Sequence, residues 1–163
     1  GPGDLMVGRP IEALRAVFGR RVRLVDECSP DLLPLADGTL PDLYPGSGPL
    51  GGIASSLIAW SGPVFVLAGD LPHITPSAVR TVLVAAKGAP AAWAVIATSE
   101  ARQPCIGLYR PAALATLRES LDGGRLKLSV AVPDPQLHLV SLPKEVMANV
   151  NTPDDLSPGR SAR

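Results

Sequence analysis

The sequence predicts a three-layer α/β fold, in which a mostly parallel sheet lies between helices on both of its faces. Short apolar runs alternate along the chain with segments of helical periodicity. One run, residues 63–68, is continuously apolar and bounded by turn residues, as a central strand buried on both faces would be. The composition is 46% hydrophobic but only 4% aromatic, which favours alanine-rich helices packed on a valine-rich sheet.

Local patterns define the individual elements. Pro10 suits the first turn of an amphipathic helix that Gly19 ends. Thr75 and Pro76 mark the N-cap and first position of another helix. The predicted helices cover residues 9–18, 50–60, 76–87 and 111–121, with a short helix or turn at 125–132 and a terminal helix from Thr152. The predicted strands cover residues 21–26, 63–68, 91–98, 105–109 and 137–142, and residues 27–50 are expected to be loop.

The length of 163 residues predicts one domain with a substantial core. We assign this domain to residues 4–156, because no linker or internal repeat divides the chain. Residues 1–3 resemble a tag remnant, and residues 157–163 are expected to be a frayed tail.

The charge balance excludes several classes of protein. Lys+Arg and Asp+Glu number 15 each, so the basic excess of a nucleic-acid-binding protein is missing. No apolar stretch is long enough to span a membrane, and we expect no membrane partner. Cys28 and Cys105 lie in no CxxC or Cys/His cluster. Two lone thiols argue against a disulfide framework or a zinc site and favour a reducing compartment, the cytoplasm.

Asp70 is the first candidate for chemistry. It follows the apolar run 63–68, and ligands of open α/β sheets bind outside the carboxyl ends of the strands. A carboxylate there suits Mg²⁺, which is held in proteins by one or two carboxylates together with phosphate oxygens and water. The alternative is that Asp70 only shapes the turn before Pro72.

A glycine-rich segment, residues 44–53, is the second candidate. Its glycines would let backbone N–H groups approach a ligand closely, beside the partial positive charge of a helix N-terminus. The alternative is a flexible connector.

The third candidate is the pair Asn149 and Asn151. Two amides two residues apart point the same way in an extended segment and can hold metal-bound water or phosphate oxygens. A helix cap at Thr152 explains that residue without explaining both asparagines. Arg102, before a predicted strand, is a lesser candidate for positioning a substrate group. His73 and His138 are isolated, and Ser55 and Ser56 lack a partner histidine, so a hydrolase is not predicted.

Taken in order, these motifs resemble the MobA-type molybdenum cofactor guanylyltransferases. The motifs are Gly-Pro-Leu-Gly-Gly-Ile at 48–53, Gly-Asp-Leu-Pro at 69–72, Gln-Pro at 103–104 and Asn-Val-Asn-Thr-Pro-Asp-Asp-Leu at 149–156. The resemblance runs from about Asp42 to Leu156, and it lies in the order and spacing of the motifs.

The resemblance implies a nucleotide-diphospho-sugar transferase-like, Rossmann-like fold. It also implies transfer of GMP from GTP to a molybdopterin-type cofactor with Mg²⁺, and transient contact with the proteins that accept the product. By position, Asp70 would bind Mg²⁺, and Asn149 and Asn151 would lie near the metal and the molybdopterin phosphate, as catalytic residues. The nucleotide pocket would be lined by Asp42, Gly48, Pro49, Leu50, Gly51 and Gly52.

The sequence departs from this family at its start. Family members open with a strand, a Leu-Ala-Gly-Gly loop, then Arg-Met-Gly and Asp-Lys, which together cradle the triphosphate. Residues 4–10 resemble the stretch after that loop, with the lysine missing. Either the sequence is truncated or the protein has lost the cradle. The alternatives to a guanylyltransferase are a related cytidylyltransferase, a non-catalytic module that binds nucleotide or cofactor, and a structural relic that binds no ligand.

Overall fold

The computed structural model describes residues 8–25 and 33–148, and within these ranges six strands form two sheets. The strands are β1 (Leu24–Val25), β2 (Thr39–Leu40), β3 (Val64–Leu67), β4 (Ala94–Thr98), β5 (Arg102–Tyr109) and β6 (Leu137–Ser141). The α-helices are α1 (Gly8–Phe18), α2 (Gly48–Ala59), α3 (Pro76–Lys87) and α4 (Leu114–Asp122). Short 3₁₀ turns precede α4 at Pro111–Ala113 and follow it at Leu128–Val130.

The larger sheet is mixed, with the strand order β3-β5-β4-β6. Strand β5 is antiparallel to both of its neighbours, whereas β4 and β6 are parallel. Strands β3, β4 and β6 therefore run in the same direction, and β5 runs against them. Strands β1 and β2 form a separate parallel pair. The larger sheet is thus mixed, with three of its four strands in one direction, and β5 is reversed because the turn between β4 and β5 is too short for a parallel crossover.

Helices cover both faces of the larger sheet, as the three-layer prediction requires. Helices α1 and α3 pack on one face, where Val82 meets the side chain of Val95 in one buried cluster. Helices α2 and α4 pack on the other face, where Leu50 and Leu117 share a second cluster with Ile96. Val95 and Ile96 belong to different clusters because successive side chains of a strand point to opposite faces.

The prediction that residues 63–68 form a central strand is wrong in one respect. Strand β3 is present, but it is the outermost strand of the larger sheet and its four residues are only half-buried. A continuous apolar run shows that both faces of a strand are covered. It carries no information about which backbone edges are paired.

The predicted elements are otherwise confirmed, with shifted ends. Thr75 caps α3, since its hydroxyl oxygen accepts a hydrogen bond of 3.1 Å from the Ala78 N–H. Strand β5 begins at Arg102, before the predicted start. Of the predicted strand 21–26, the structure describes residues 21–25, of which Leu24–Val25 pairs, and its partner Thr39–Leu40 was expected to be loop.

Several predictions lie outside the described residues. These are the possible tag remnant, the terminal helix from Thr152 and the tail at 157–163. Among the described helices, none has the length and apolar character needed to cross a membrane.

Candidate functional site

The larger sheet has one edge at which three strands end and one begins. Strands β3, β4 and β6 end there, and β5 begins there. Asp70 lies just beyond β3, which ends at Leu67, and so belongs to this edge. Its side chain is half-buried, and within residues 8–25 and 33–148 no hydrogen bond or ion pair to it is formed. Gly69 and Asp70 form the turn that directly follows β3 and brings the carboxylate to this edge.

Cys105 is an ionisable residue whose pKa the charge of Asp70 affects. The Ala68 N–H donates a 2.9 Å hydrogen bond to the Cys105 carbonyl, which continues the pairing of β3 with β5 toward Asp70. Burial raises the pKa of the Cys105 thiol, and the negative charge of Asp70 raises it further. The carboxylate of Asp70 thus acts across the sheet edge on the start of β5.

The start of β5 contains a bulge that the sequence analysis missed. Ile96 pairs with Gly107, whereas the next residue of β4, Ala97, pairs with Gln103. The intervening residues of β5, 104–106, have no counterpart on β4. Bulges of this kind bend a strand and re-aim its side chains beside functional sites. Pro104 within a strand pattern is the sequence signal that indicates one.

Asp42 is engaged in local structure on the approach to α2. Its Oδ1 accepts hydrogen bonds from the Tyr44 N–H at 2.9 Å and from the Ser55 hydroxyl at 3.4 Å. The Ser55 Oγ in turn accepts a 2.9 Å bond from the Leu43 N–H. Asp42 therefore fixes the turn ahead of α2, and any contact with a nucleotide would use its remaining oxygen.

The glycine-rich segment forms the first turn of α2. Gly48, Pro49, Gly51 and Gly52 all lie in the helix. Leu50 is completely buried in the core, so its side chain does not line a pocket, because an apolar side chain at this helical position packs on the sheet. A Cβ on Gly51 would lie 2.9 Å from the Tyr44 carbonyl oxygen, so close packing of Tyr44 explains this glycine.

The first turn of α2 can still hold an anion. Ser47, at the N-cap, makes no side-chain hydrogen bond to the helix. The first N–H groups of a helix lack partners within it, and they carry the positive end of the helix dipole. Helix α2 leads through a short turn at 60–63 into β3, so it runs antiparallel to that strand. Its first turn therefore lies toward the same edge as Asp70.

Arg102 is held by the protein itself. Its Nη1 lies 3.0 Å from Asp134 Oδ1 and donates to the Ser129 carbonyl at 3.3 Å. These bonds attach β5 to the segment that precedes β6. Both contacts use Nη1, so the role of Arg102 in positioning a substrate stays a prediction for the rest of its guanidinium group.

The other predicted residues are not brought to this edge by described contacts. Asn149 and Asn151 lie outside the described residues. His73 and His138 are exposed, and His138 lies on strand β6. In the described ranges, no three His, Cys, Asp or Glu side chains cluster as a metal cage would require.

Sequence comparison identifies relatives of the whole described fold. The family model of the MobA-like NTP transferase domain matches residues 2–134. A relative named molybdenum cofactor guanylyltransferase, from Chloroflexus aggregans, is 36% identical over 133 residues, which cover 71% of this chain and 60% of the relative. A relative of the same name from Pelotomaculum thermopropionicum is 28% identical over 96% of this chain and 80% of its own length. The matched stretch thus spans less than two thirds of the Chloroflexus protein.

Structural comparison supports the nucleotidyltransferase-type fold. A protein of Aquifex aeolicus superposes with a TM-score of 0.78 at 23% identity, covering 93% of this chain and 80% of the other. The molybdopterin-guanine dinucleotide biosynthesis protein A of Archaeoglobus fulgidus superposes with a TM-score of 0.69 at 21% identity, covering 90% and 80%.

Proposed function

This chain belongs to the MobA-like NTP transferase family, and on that premise we propose that it transfers GMP from GTP to a molybdopterin-type cofactor. The observation that carries the proposal is the shared position of two features, both of which lie within the residues that match the family model. Asp70 and the first turn of α2 lie toward one edge of the sheet, where a carboxylate and unpaired N–H groups can act on one bound nucleotide. The names of the relatives indicate guanine and molybdopterin as the substrate classes.

The reaction needs no covalent protein intermediate. An oxygen of the molybdopterin phosphate attacks the α-phosphorus of GTP and forms a new P–O bond. The bond between the α-phosphorus and the oxygen that bridges to the β-phosphorus breaks, and pyrophosphate leaves with that electron pair. The protein accelerates such a step by aligning the two phosphates and by stabilising the negative charge that develops. The N–H groups at the start of α2 would contribute to both.

The residues at this edge fit Mg²⁺ as a nucleotide-bound ion. Asp70 offers one half-exposed carboxylate, and Mg²⁺ bound by one or two carboxylates obtains its other ligands from phosphates and water. The ion would supply charge neutralisation of the phosphate oxygens. Asn149 and Asn151 are proposed to lie near the metal and the molybdopterin phosphate, as the family resemblance implies.

A non-catalytic module that binds nucleotide is the second candidate. The ion pair of Arg102 with Asp134 favours it, since this cation at the start of β5 is already neutralised. Each 1.4 kcal/mol of lost transition-state stabilisation slows a reaction about tenfold. A site short of cations could therefore bind nucleotide and yet react slowly.

Calorimetric titration with GTP, with and without Mg²⁺, tests the proposal, and titration with CTP tests the cytidylyl alternative. We expect binding of GTP that Mg²⁺ strengthens, and release of pyrophosphate when molybdopterin is added. GTP binding without pyrophosphate release would favour the non-catalytic module. Absence of binding by both nucleotides at millimolar concentration would contradict both candidates.

The variant Asp70→Asn separates the metal role of Asp70 from its role in the turn. An asparagine keeps the turn geometry and removes the charge, so the strengthening of GTP binding by Mg²⁺ should be lost while thermal unfolding is unchanged. Glu119→Gln is the matched control, because Glu119 is an exposed carboxylate on α4. Unchanged Mg²⁺ dependence in Asp70→Asn would assign Asp70 to the turn alone.

A further inference from the structure

Arg102 lies at the edge of the larger sheet that carries the candidate site, on the face covered by α2 and α4. Successive side chains of β4 alternate between the two faces, so Thr98 lies on the same face as Ile96, which packs in the cluster of α2 and α4. Arg102 pairs with Thr98, and directly opposite residues of neighbouring strands share a face. The first turn of α2 and the side chain of Arg102 therefore lie on one face at one edge.

The guanidinium of Arg102 is held through only one of its three nitrogens. Its Nη1 lies 3.0 Å from Asp134 Oδ1 and 3.3 Å from the carbonyl oxygen of Ser129. Within residues 8–25 and 33–148, the N–H groups of Nε and Nη2 make no hydrogen bond. These two nitrogens form one side of the guanidinium, and their parallel N–H groups match two oxygens of a phosphate or carboxylate. The contacts of Nη1 thus leave a two-pronged donor open.

Asp134 orients Arg102 and neutralises its charge only in part. The side chain of Asp134 is 75% exposed, whereas that of Arg102 is 32% exposed. Water and salt screen a carboxylate that is so exposed, so this ion pair stabilises the fold little. Asp134 also begins the 3₁₀ turn Asp134–Gln136, which leads directly into β6. The backbone of this turn thus fixes where the carboxylate meets Arg102.

The candidate site has two sides, and Arg102 lies on the side away from β1 and β2. Helix α2 contacts the β1–β2 pair, which lies beside β3. Arg102 is held by the segment that packs on β5 and then enters β6, at the other end of the strand order. A transfer reaction needs two substrates aligned end to end. A nucleotide at the first turn of α2 would leave the side of Arg102 to the second substrate.

We propose that Arg102 binds the phosphate monoester group of the second substrate through Nε and Nη2, and that Asp134 is a positioning residue for this contact. The proposal rests on the proposed nucleotidyl transfer and assigns a residue to its acceptor. A phosphate monoester has three terminal oxygens. Two of them would accept hydrogen bonds from Arg102, and the third would remain available to attack the α-phosphorus.

Titration of the full chain with phenyl phosphate in the presence of Mg²⁺ tests the role of Arg102. The probe should shift the Nε–H signal of Arg102 in NMR spectra, identified as the signal that Arg102→Lys lacks. Lysine keeps the charge and loses the paired donors, so Arg102→Lys should weaken binding of phenyl phosphate by about fivefold or more. Its affinity for GTP should be unchanged. The matched control is Arg118→Lys, at an exposed position of α4, which should bind phenyl phosphate as the parent does.

Two results of this titration would overturn the assignment. Equal affinities of Arg102→Lys and the parent for phenyl phosphate would show that Arg102 does not bind the monoester. An equal loss of affinity for GTP and for phenyl phosphate would place Arg102 on the nucleotide side of the site.

Variants of Asp134 separate positioning from simple electrostatics. Removal of a negative charge would by itself strengthen the binding of phosphate, whereas loss of a positioning contact weakens it. We therefore expect Asp134→Ala to weaken binding of phenyl phosphate by about threefold. Asp134→Asn, which keeps an oxygen acceptor for Nη1, should restore the affinity. Glu100→Ala is the control, because Glu100 is also an exposed carboxylate in an ion pair, with Lys144. Tighter binding by Asp134→Ala, in a protein with unchanged thermal unfolding, would overturn the positioning role.

Pyrophosphate release is measured separately, so that this proposal and the nucleotidyl transfer can fail independently. If binding of phenyl phosphate depends on Arg102 but GTP yields no pyrophosphate with molybdopterin, the monoester site stands and the nucleotidyl transfer is wrong. If pyrophosphate is released and the KM for molybdopterin is the same in Arg102→Lys and the parent, the transfer stands and the assignment of Arg102 is wrong.

Discussion

The phenol of Tyr109 donates a 2.6 Å hydrogen bond to the carbonyl oxygen of Pro104, across the bulge in β5. Tyr109 is almost completely buried, and this burial, with a smaller effect from Cys105, raises the pKa of its phenol. The bond ties the bulge to the regular part of the strand. The bulge also contains Cys105, whose pKa the charge of Asp70 raises in addition to burial, so Tyr109 fixes the strand segment that lies beside the candidate site.

Tyr109→Phe should destabilise the protein and loosen the bulge. Phenylalanine keeps the ring in the core but leaves the half-buried Pro104 carbonyl without this partner, which costs about 1 kcal/mol. Urea unfolding measures the loss, and hydrogen exchange at Cys105 and Ile106 should become faster. An unfolding free energy within about 0.5 kcal/mol of the parent would show that water replaces the phenol.

Gly107→Ala should weaken the central pairing of the sheet. A Cβ at this position would lie 2.6 Å from the Val95 carbonyl oxygen and 2.8 Å from Ile96 Cγ2, so β4 and β5 would have to separate. Overpacking of this kind costs about 1–3 kcal/mol. Gly88→Ala is the control, because its Cβ would meet only the Ala85 oxygen at 3.5 Å, an ordinary contact.

Thermal unfolding of these two glycine variants provides the comparison. The Gly107→Ala variant should have the lower melting temperature, and Gly88→Ala should match the parent or exceed it. Equal melting temperatures for the two variants would contradict the close approach of β4 to Gly107.

Elements that a single local pattern determines could be predicted from the sequence. The N-cap at Thr75 and the proline at 76 define the start of α3 without help from the rest of the fold. The apolar runs likewise located β3, β4 and β6. Side-chain periodicity is a local property, so it can be recognised in a single sequence.

The pairing of strands could not be obtained in this way. Strand β5 has the same apolar character whether it runs parallel or antiparallel to β4, and β3 looks the same at an edge as at the centre. The pairing of Leu24–Val25 with Thr39–Leu40 depends on contacts between distant segments. Two-residue strands also carry too little pattern to be recognised.

Only those features of the candidate site that depend on a local sequence pattern could be predicted. Asp70 and the start of α2 follow from what comes after a strand and before a helix. The hydrogen bond between Ser55 and Asp42 and the ion pair between Arg102 and Asp134 were not predicted. Each of these contacts joins residues that are far apart in the sequence. The burial of the Leu50 side chain was not predicted, because it depends on the sheet beneath it.

Arg110 is predicted to be essential for the junction of α3 with β4. Its guanidinium donates to the carbonyl oxygens of Ala86, Ala89 and Ala92 at 2.7–2.9 Å. A lysine cannot reproduce this planar set of donors, so Arg110→Lys should cost about 1.5–3 kcal/mol in urea unfolding. Arg118→Lys, at an exposed position of α4, should have no measurable effect. Equal stability of Arg110→Lys and the parent would show that water can replace the hydrogen bonds of Arg110.

The reactivity of Cys105 should report on the charge of Asp70. That charge raises the pKa of the thiol, so Asp70→Asn should lower it and speed alkylation by iodoacetamide at pH 8. A Cys28→Ser background restricts the reaction to Cys105. Glu119→Gln serves again as the control and should leave the rate unchanged. Equal rates in Asp70→Asn and the parent would contradict the electrostatic coupling across the sheet edge.

Stability should fall in alkaline solution, in part because of Cys105. Burial, and then Asp70, raise the pKa of this thiol above its ordinary value of 9.0. Above pH 9 the unfolded chain loses the proton while the folded chain keeps it, so the unfolded state binds fewer protons and the unfolding free energy decreases with pH. The decrease is at most about 1.4 kcal/mol per pH unit for one group. Below pH 9 this group should make no difference.

Urea unfolding of the parent and of Cys105→Ala between pH 7 and 10.5 measures this contribution. Truncation of the half-buried side chain should lower stability by a constant amount at neutral pH. The two curves should then converge above pH 9, since the variant lacks the group that favours the unfolded state. Tyr109 remains in both proteins, and its raised pKa adds an equal decrease above pH 10. Parallel curves throughout this range would show that the Cys105 thiol ionises as readily in the folded protein as in the unfolded chain.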